Sequence, residues 1–161
     1  MDKDKFNKIF FESKVSLTVL INLLKTKNNR YVVFKPFISI NSNDKERIKG
    51  IIDKLNLDVN ITKIKKSVKR LNPRYDIVIQ DFDLIDEFLE KVDGNLDKEK
   101  LKTFKLAKEK IVEVGKISKE WDDNFEEIIE LKLKINNGSK GFTKKQWIKK
   151  IKVHLDEVID G

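Results

Sequence analysis

The chain has 161 residues, 39% of them apolar and ten of them Phe, which is enough for one sizeable core and demands no second domain. It has no cysteine, so disulfides and thiolate metal sites are excluded, and its lone histidine, His154, stands in a lysine-rich segment without a histidine partner, which argues against zinc. The charge is lopsided: Met1 to Gln80 carries 18 Lys+Arg against 8 Asp+Glu, and Asp81 to Gly161 carries 17 against 19.

Phe6, Ile9 and Phe10 recur at helical spacing and predict a short first helix over Phe6–Ser13. The period then becomes two. Leu17, Val19, Ile21 and Leu23 alternate with Ser16, Thr18, Leu20 and Asn22, which predicts a strand with one core face and one mixed face. Lys25–Arg30 has the composition of a hairpin turn. Tyr31–Ile40 returns as a second strand, with Phe34, Pro36, Ile38 and Ile40 inward and Lys35, Phe37 and Ser39 outward. Pro36 lacks a ladder donor, which argues for an edge strand or a bulge.

Asn43 with Glu46 three residues on is a capping-box start to a helix whose stripe is Ile48, Ile51, Ile52 and Leu55, ending near Asn56. Val59–Val68 reads as a third strand of open register, because Ile61 and Ile64 fall on opposite faces. Lys69–Arg74 is a basic turn, and Tyr75–Gln80 alternates cleanly as a fourth strand. Asp83–Val92 is helical, with Leu84, Ile85, Phe88, Leu89 and Val92 on one face. The remainder reads as helices only. Asp97–Val114 shows Leu101, Phe104, Ala107 or Lys108, and Ile111; Glu120–Leu133 shows Trp121, Phe125, Ile128, Ile129 and Leu133. Thr143 with Gln146 opens a last helix carrying Trp147, Ile148, Ile151 and Leu155.

The order α-ββ-α-ββ-α followed by helices predicts an α+β fold. A curved four-stranded antiparallel sheet would carry helices on its apolar face and leave the other face free. One domain over 1–161 is expected, with the αββαββα core in 6–95 and a helical part in 96–161. Most of the excess positive charge lies on or between the strands, so it would line an extended face suited to a phosphate backbone; a lysine-rich solubilising surface is the plainer reading.

Particular stretches strengthen the first reading. Ile9-Phe10-Phe11-Glu12-Ser13-Lys14-Val15-Ser16 before the first strand, Phe37 to Glu46 with its Asp44-Lys45-Glu46, Tyr75–Ile79 followed by Asp86-Glu87-Phe88-Leu89, and the segment from Leu131 to Gln146 together resemble the LAGLIDADG homing endonucleases. The resemblance implies a saddle-shaped sheet laid over a DNA groove and a name-giving helix that ends in a metal-binding acid. At the position of that acid this chain has Lys14, whose ammonium repels Mg²⁺, so strand cleavage by the family route is expected to be lost. Glu12, two residues away, would point about 200° around a helix axis and is a poor substitute. Ile9 and Val15 stand where the family has glycines that let two such helices cross closely, and only one degenerate copy of the motif exists. A monomer, or a dimer built differently, follows.

Other chemistry finds little material. No glycine-rich phosphate loop is present, and the usual nucleophile-and-base pairs lack residues. Asp81, Asp83, Asp86 and Glu87 read as helix N-terminal carboxylates rather than a metal site, and Asp122, Asp123, Glu126 and Glu127 as a solvated band. Lys140–Lys152 is a basic helix that reads equally as an auxiliary phosphate contact or a plain surface, its apolar side sized for core rather than membrane. No apolar run of about 18 residues and no leader pattern at Met1–Lys5 occur, so a cytoplasmic protein without cofactor or metal is expected.

The expected partner is double-stranded DNA. Phosphate contacts would come from Lys25, Lys27, Arg30, Lys66, Lys69, Arg70 and Arg74, and base-edge contacts from Ser16, Thr18, Asn22, Lys35, Ser39, Lys63 and Gln80. No catalytic residue is assigned. RNA binding in a splicing-accessory role, as relatives of this fold imply, and a nuclease with a relocated metal site are the alternatives, because a basic strand surface does not by itself separate duplex DNA from structured RNA.

Overall fold

The computed structural model describes residues 15–56, 61–64, 74–92, 96–115, 117–136 and 141–156, with 61–64 and 74 described as backbone. The expected first helix, with Ile9, Glu12 and Lys14, lies outside them. In chain order the elements are β1 (Val15–Lys25), β2 (Arg30–Ser42), α1 (Lys45–Leu55), β3 (Ile61–Ile64), β4 (Arg74–Ile79), α2 (Phe82–Lys91), α3 (Lys98–Val114), β5 (Ile117–Ser118), α4 (Asn124–Ile135) and α5 (Lys144–Asp156). The class is α+β. Four antiparallel strands follow the order β1-β2-β4-β3 in an open sheet, and the two-residue β5 adds to β2.

The chain divides into two compact units, 1–17 with 37–98, and 18–36 with 99–161. In the first, β2 and β4 pair so that Ile38 faces Ile79 and Ile40 faces Ile77, and all four are buried. The alternate residues Ser39 and Val78 therefore share the other face. The register of β3, open in the sequence, is set by Ile61 opposite Ile77 and Lys63 opposite Tyr75. Ile48 and Ile51 of α1 and Ile85, Phe88 and Leu89 of α2 fill out this core. Lys91 fastens the end of α1 to α2, its Nζ donating to Leu55 O at 2.6 Å while pairing with Glu87 at 2.9 Å.

The cap of α1 is Asp44, one residue beyond the expected Asn43. Its carboxylate accepts from the amides of Glu46 at 3.1 Å and Arg47 at 3.3 Å, while its own amide is held by Ser42 Oγ at 3.1 Å. A charged acceptor at the positive end of a helix is favoured over a neutral amide. Asn56 ends the helix in the left-handed region, φ 51°, as an asparagine tolerates.

In the second unit Phe34 meets Phe125 with ring centroids 4.8 Å apart, and Trp121 meets Phe125 edge-on at 5.3 Å. Leu101, Phe104, Ala107 and Ile111 of α3, Phe125, Ile128 and Ile129 of α4, and Ile151 of α5 are buried. Ala107, and not Lys108, completes the α3 stripe. Gly115 closes α3 at φ +89°, a conformation that costs a glycine little. The expectation of helices alone after Asp97 is corrected here: Ile117 and Ser118 pair with Val33 and Val32. Helix α4 accordingly starts at Asn124 rather than Glu120, after the Asp122 carboxylate accepts the Asn124 amide at 2.8 Å. Pro36 lies on β2 between Val33, in the stretch paired with β5, and Ile38, in the stretch paired with β4, where it takes no position in either of those two registers. The last helix opens as expected, with a reciprocal capping box: the Thr143 amide donates to Gln146 Oε1 at 2.8 Å and the Gln146 amide to Thr143 Oγ1 at 3.2 Å.

Candidate nucleic-acid interface

Strand alternation decides which side chains lie on the face away from Ile38, Ile40, Ile77 and Ile79. On β2 and β4 the buried positions Ile38, Ile40, Ile77 and Ile79 leave Ser39, Asn41, Asp76 and Val78 on the opposite face. Asn41 stands opposite Asp76, and Ser39 opposite Val78. Gln80, just past β4, is exposed. The sequence reading named Ser39 and Gln80 but not Asn41 or Asp76, which continue the same alternation two residues on. Only the cross-strand register shows them as one row. Across β4, Asp76 is opposite Thr62, and Lys63 is opposite Tyr75.

The β1–β2 hairpin supplies cations. Its turn is closed by the Thr26 amide bonded to Asn29 O at 2.8 Å and the Asn29 amide bonded to Thr26 Oγ1 at 3.2 Å, which leaves Lys27 and Asn28 at the tip. Lys25, Lys27 and Lys35 are exposed, and Arg30 is half-buried. Among the described residues none of the three lysines forms an ion pair. Two lysines of the second half behave differently. Lys110 pairs with Glu127 at 3.0 Å and Glu113 at 3.6 Å, and Lys144 pairs with Glu130 and, at 3.8 Å, Glu126. Carboxylates of α4 thus neutralise Lys110 and Lys144, whereas Lys25, Lys27 and Lys35 face solvent.

The other expected contacts divide. Ser16 is exposed and Asn22 half-buried. The Thr18 hydroxyl donates to Asn136 Oδ1 at 3.1 Å, which ties β1 to the end of α4. Beside it the ammonium of Lys132 is bonded to Val19 O, and burial holds that lysine below its ordinary pKa. Lys63 and Arg74 are strand residues described as backbone, and Lys66, Lys69 and Arg70 lie outside the described residues. Of the basic α5, Lys144 is ion-paired and Lys150 sits over the ring of Phe142, 4.5 Å from its centroid.

Among the described residues no cluster of three His, Asp or Glu is placed to hold a metal. Asp81, from the acidic run, caps α2 by accepting from the amides of Asp83 at 2.9 Å and Leu84 at 3.1 Å. No described helix is long and apolar enough to cross a membrane.

No family model and no curated protein matches the chain. Solved structures do. The archaeal intron-encoded homing endonuclease I-Vdi141I, complexed with DNA, superposes with a TM-score of 0.67 at 15% identity, over 96% of this chain and 94% of that one. The homing endonuclease I-TnaI gives 0.67 at 14% identity, over 94% and 100%. The LAGLIDADG meganuclease I-CpaMI, bound to uncleaved DNA, gives 0.66 at 17% identity over 94% of this chain, which spans half of its length.

Proposed function

We propose that this chain, which carries the fold of the LAGLIDADG homing endonucleases, binds duplex DNA through its sheet and hairpin and does not cut it. The observation that carries the reading is the charge of the hairpin: Lys25, Lys27 and Lys35 are exposed without ion pairs among the described residues, whereas Lys110 and Lys144 are matched to carboxylates of α4. Unmatched cations that neutralise phosphates release the counterions condensed on the nucleic acid. The fold adds support, since I-Vdi141I and I-CpaMI are seen with DNA.

In this reading Lys25, Lys27 and Arg30 take phosphates together with Lys66, Lys69, Arg70 and Arg74. Ser39, Gln80, Ser16, Asn22, Lys35 and Lys63 supply base-edge contacts, joined by Asn41. Lys14 in the place of the metal-binding acid removes the cleavage chemistry. Ile9 and Val15 keep two copies from crossing closely, so the protein acts as a monomer or through a different dimer.

Fluorescence anisotropy on a random-sequence duplex, titrated with salt, tests this. Lys25→Ala with Lys27→Ala should reduce the log–log salt slope by about 2, near 0.9 for each phosphate contact. Unchanged affinity at both low and moderate salt would remove the hairpin from the interface. Preference for a structured RNA over the duplex would transfer the function to RNA.

A further inference from the structure

We infer that His154 is a positioning residue for the hairpin, pinning both of its strands to α5 so that Lys25 and Lys27 are presented from a fixed backbone. The inference rests on the function proposed above for those lysines. His154 Nε2 lies 2.9 Å from Leu24 O and 3.0 Å from Tyr31 O, one carbonyl from β1 and one from β2. Both partners are acceptors, so the hydrogen is on Nε2 and is shared between them; the imidazolium ring would donate from the same atom. Leu24 and Tyr31 immediately precede Lys25 and follow Arg30, so the bond grips the hairpin at the root of its cationic tip.

The tip needs such a grip. Lys25, Thr26, Lys27 and Asn28 are all exposed, and the turn is held locally by bonds between Thr26 and Asn29 alone. A two-stranded ribbon is marginal by itself in water. Helix α5 is a firm support, because Ile151 is fully buried and Lys144 is bonded to Glu130 of α4. A second hold acts on the same strand, where the Lys119 ammonium stands 5.7 Å from the centre of the Tyr31 ring. Lysines on an already ordered turn bind phosphates without the added cost of ordering the loop.

The test compares the parent with His154→Leu, which has no donor, and His154→Gln, whose amide nitrogen restores one near the place of Nε2. Amide hydrogen exchange at Thr26 should accelerate about tenfold in His154→Leu and return most of the way in His154→Gln, with Ile111 in α3 unchanged in both. The affinity lost through Lys25→Ala with Lys27→Ala should shrink in the His154→Leu background, a coupling that independent effects would not produce. Unchanged Thr26 exchange, acceleration shared equally by Ile111, or strictly additive losses would each overturn the assignment. A parent that fails to bind duplex DNA would refute the function proposed above, and the exchange measurement would still decide whether His154 holds the hairpin.

Discussion

Lys110 on α3 meets Glu127 on α4 with 3.0 Å between Nζ and Oε2, and Glu113 approaches the same ammonium to 3.6 Å. The hydrogen bond to Glu127 raises the Lys110 pKa against the smaller opposing effect of burial. The pairing joins two helices of one unit, and it commits one lysine of the second half to carboxylates.

Two lysines of this unit act in opposite senses at alkaline pH. Lys110 is raised in the fold, so its contribution is present below the ordinary lysine value and is lost as pH climbs through the raised one. Lys132 is lowered by burial; the unfolded chain holds that proton more tightly, and stability rises with pH between the lowered value and the ordinary 10.5. Urea melts from pH 8 to pH 11 should show a shallower alkaline loss in Lys110→Met and a steeper one in Lys132→Met than in the parent.

On the function proposed above, in which Lys14 stands in for an ion-holding carboxylate, plasmid DNA incubated with the purified protein and Mg²⁺ or Mn²⁺ should stay supercoiled. Nicking or linearisation that vanishes in Glu12→Gln would restore a nuclease built on a relocated metal site.

Phosphate and base contacts should separate under mutation. Replacing Lys66, Lys69 and Arg70 together by alanine is expected to flatten the salt slope by about 3 and weaken all duplex sequences alike. Ser39→Ala should instead change the preferred sequence in a selection from a random library and leave the slope as it was.

The absence of cysteine makes the proposed lack of a close helix crossing easy to probe. Ile9→Cys should give no disulfide-linked dimer under mild oxidation, because a bridge needs Cα atoms within about 7 Å. A quantitative dimer on a non-reducing gel would place two copies of that segment in close contact.

Thr143→Ala removes one half of a reciprocal cap whose two bonds measure 2.8 and 3.2 Å. The expected loss is about 1 kcal/mol of unfolding free energy in a urea titration, and Thr143→Ser should recover most of it.

Local pattern decided a good deal of this molecule. The alternation Tyr75 to Gln80, the stripe Leu101, Phe104 and Ile111, the Thr143–Gln146 cap and the stop at Asn56 are all carried by residues within one or two turns of each other, where side-chain spacing and backbone preference act directly. Long-range packing decided the rest. Ile117 and Ser118 are too few to show a period and become a strand only because β2 offers them free ladder positions. The row of Ser39 with Val78 and Asn41 with Asp76 exists only once β4 has chosen its register. The Thr18 hydroxyl is bonded to Asn136, 118 residues away, and His154 reaches a carbonyl 130 residues back along the chain. Spacing along a chain reports which side chains share a face, but which distant backbone atom meets them is set by how the faces pack.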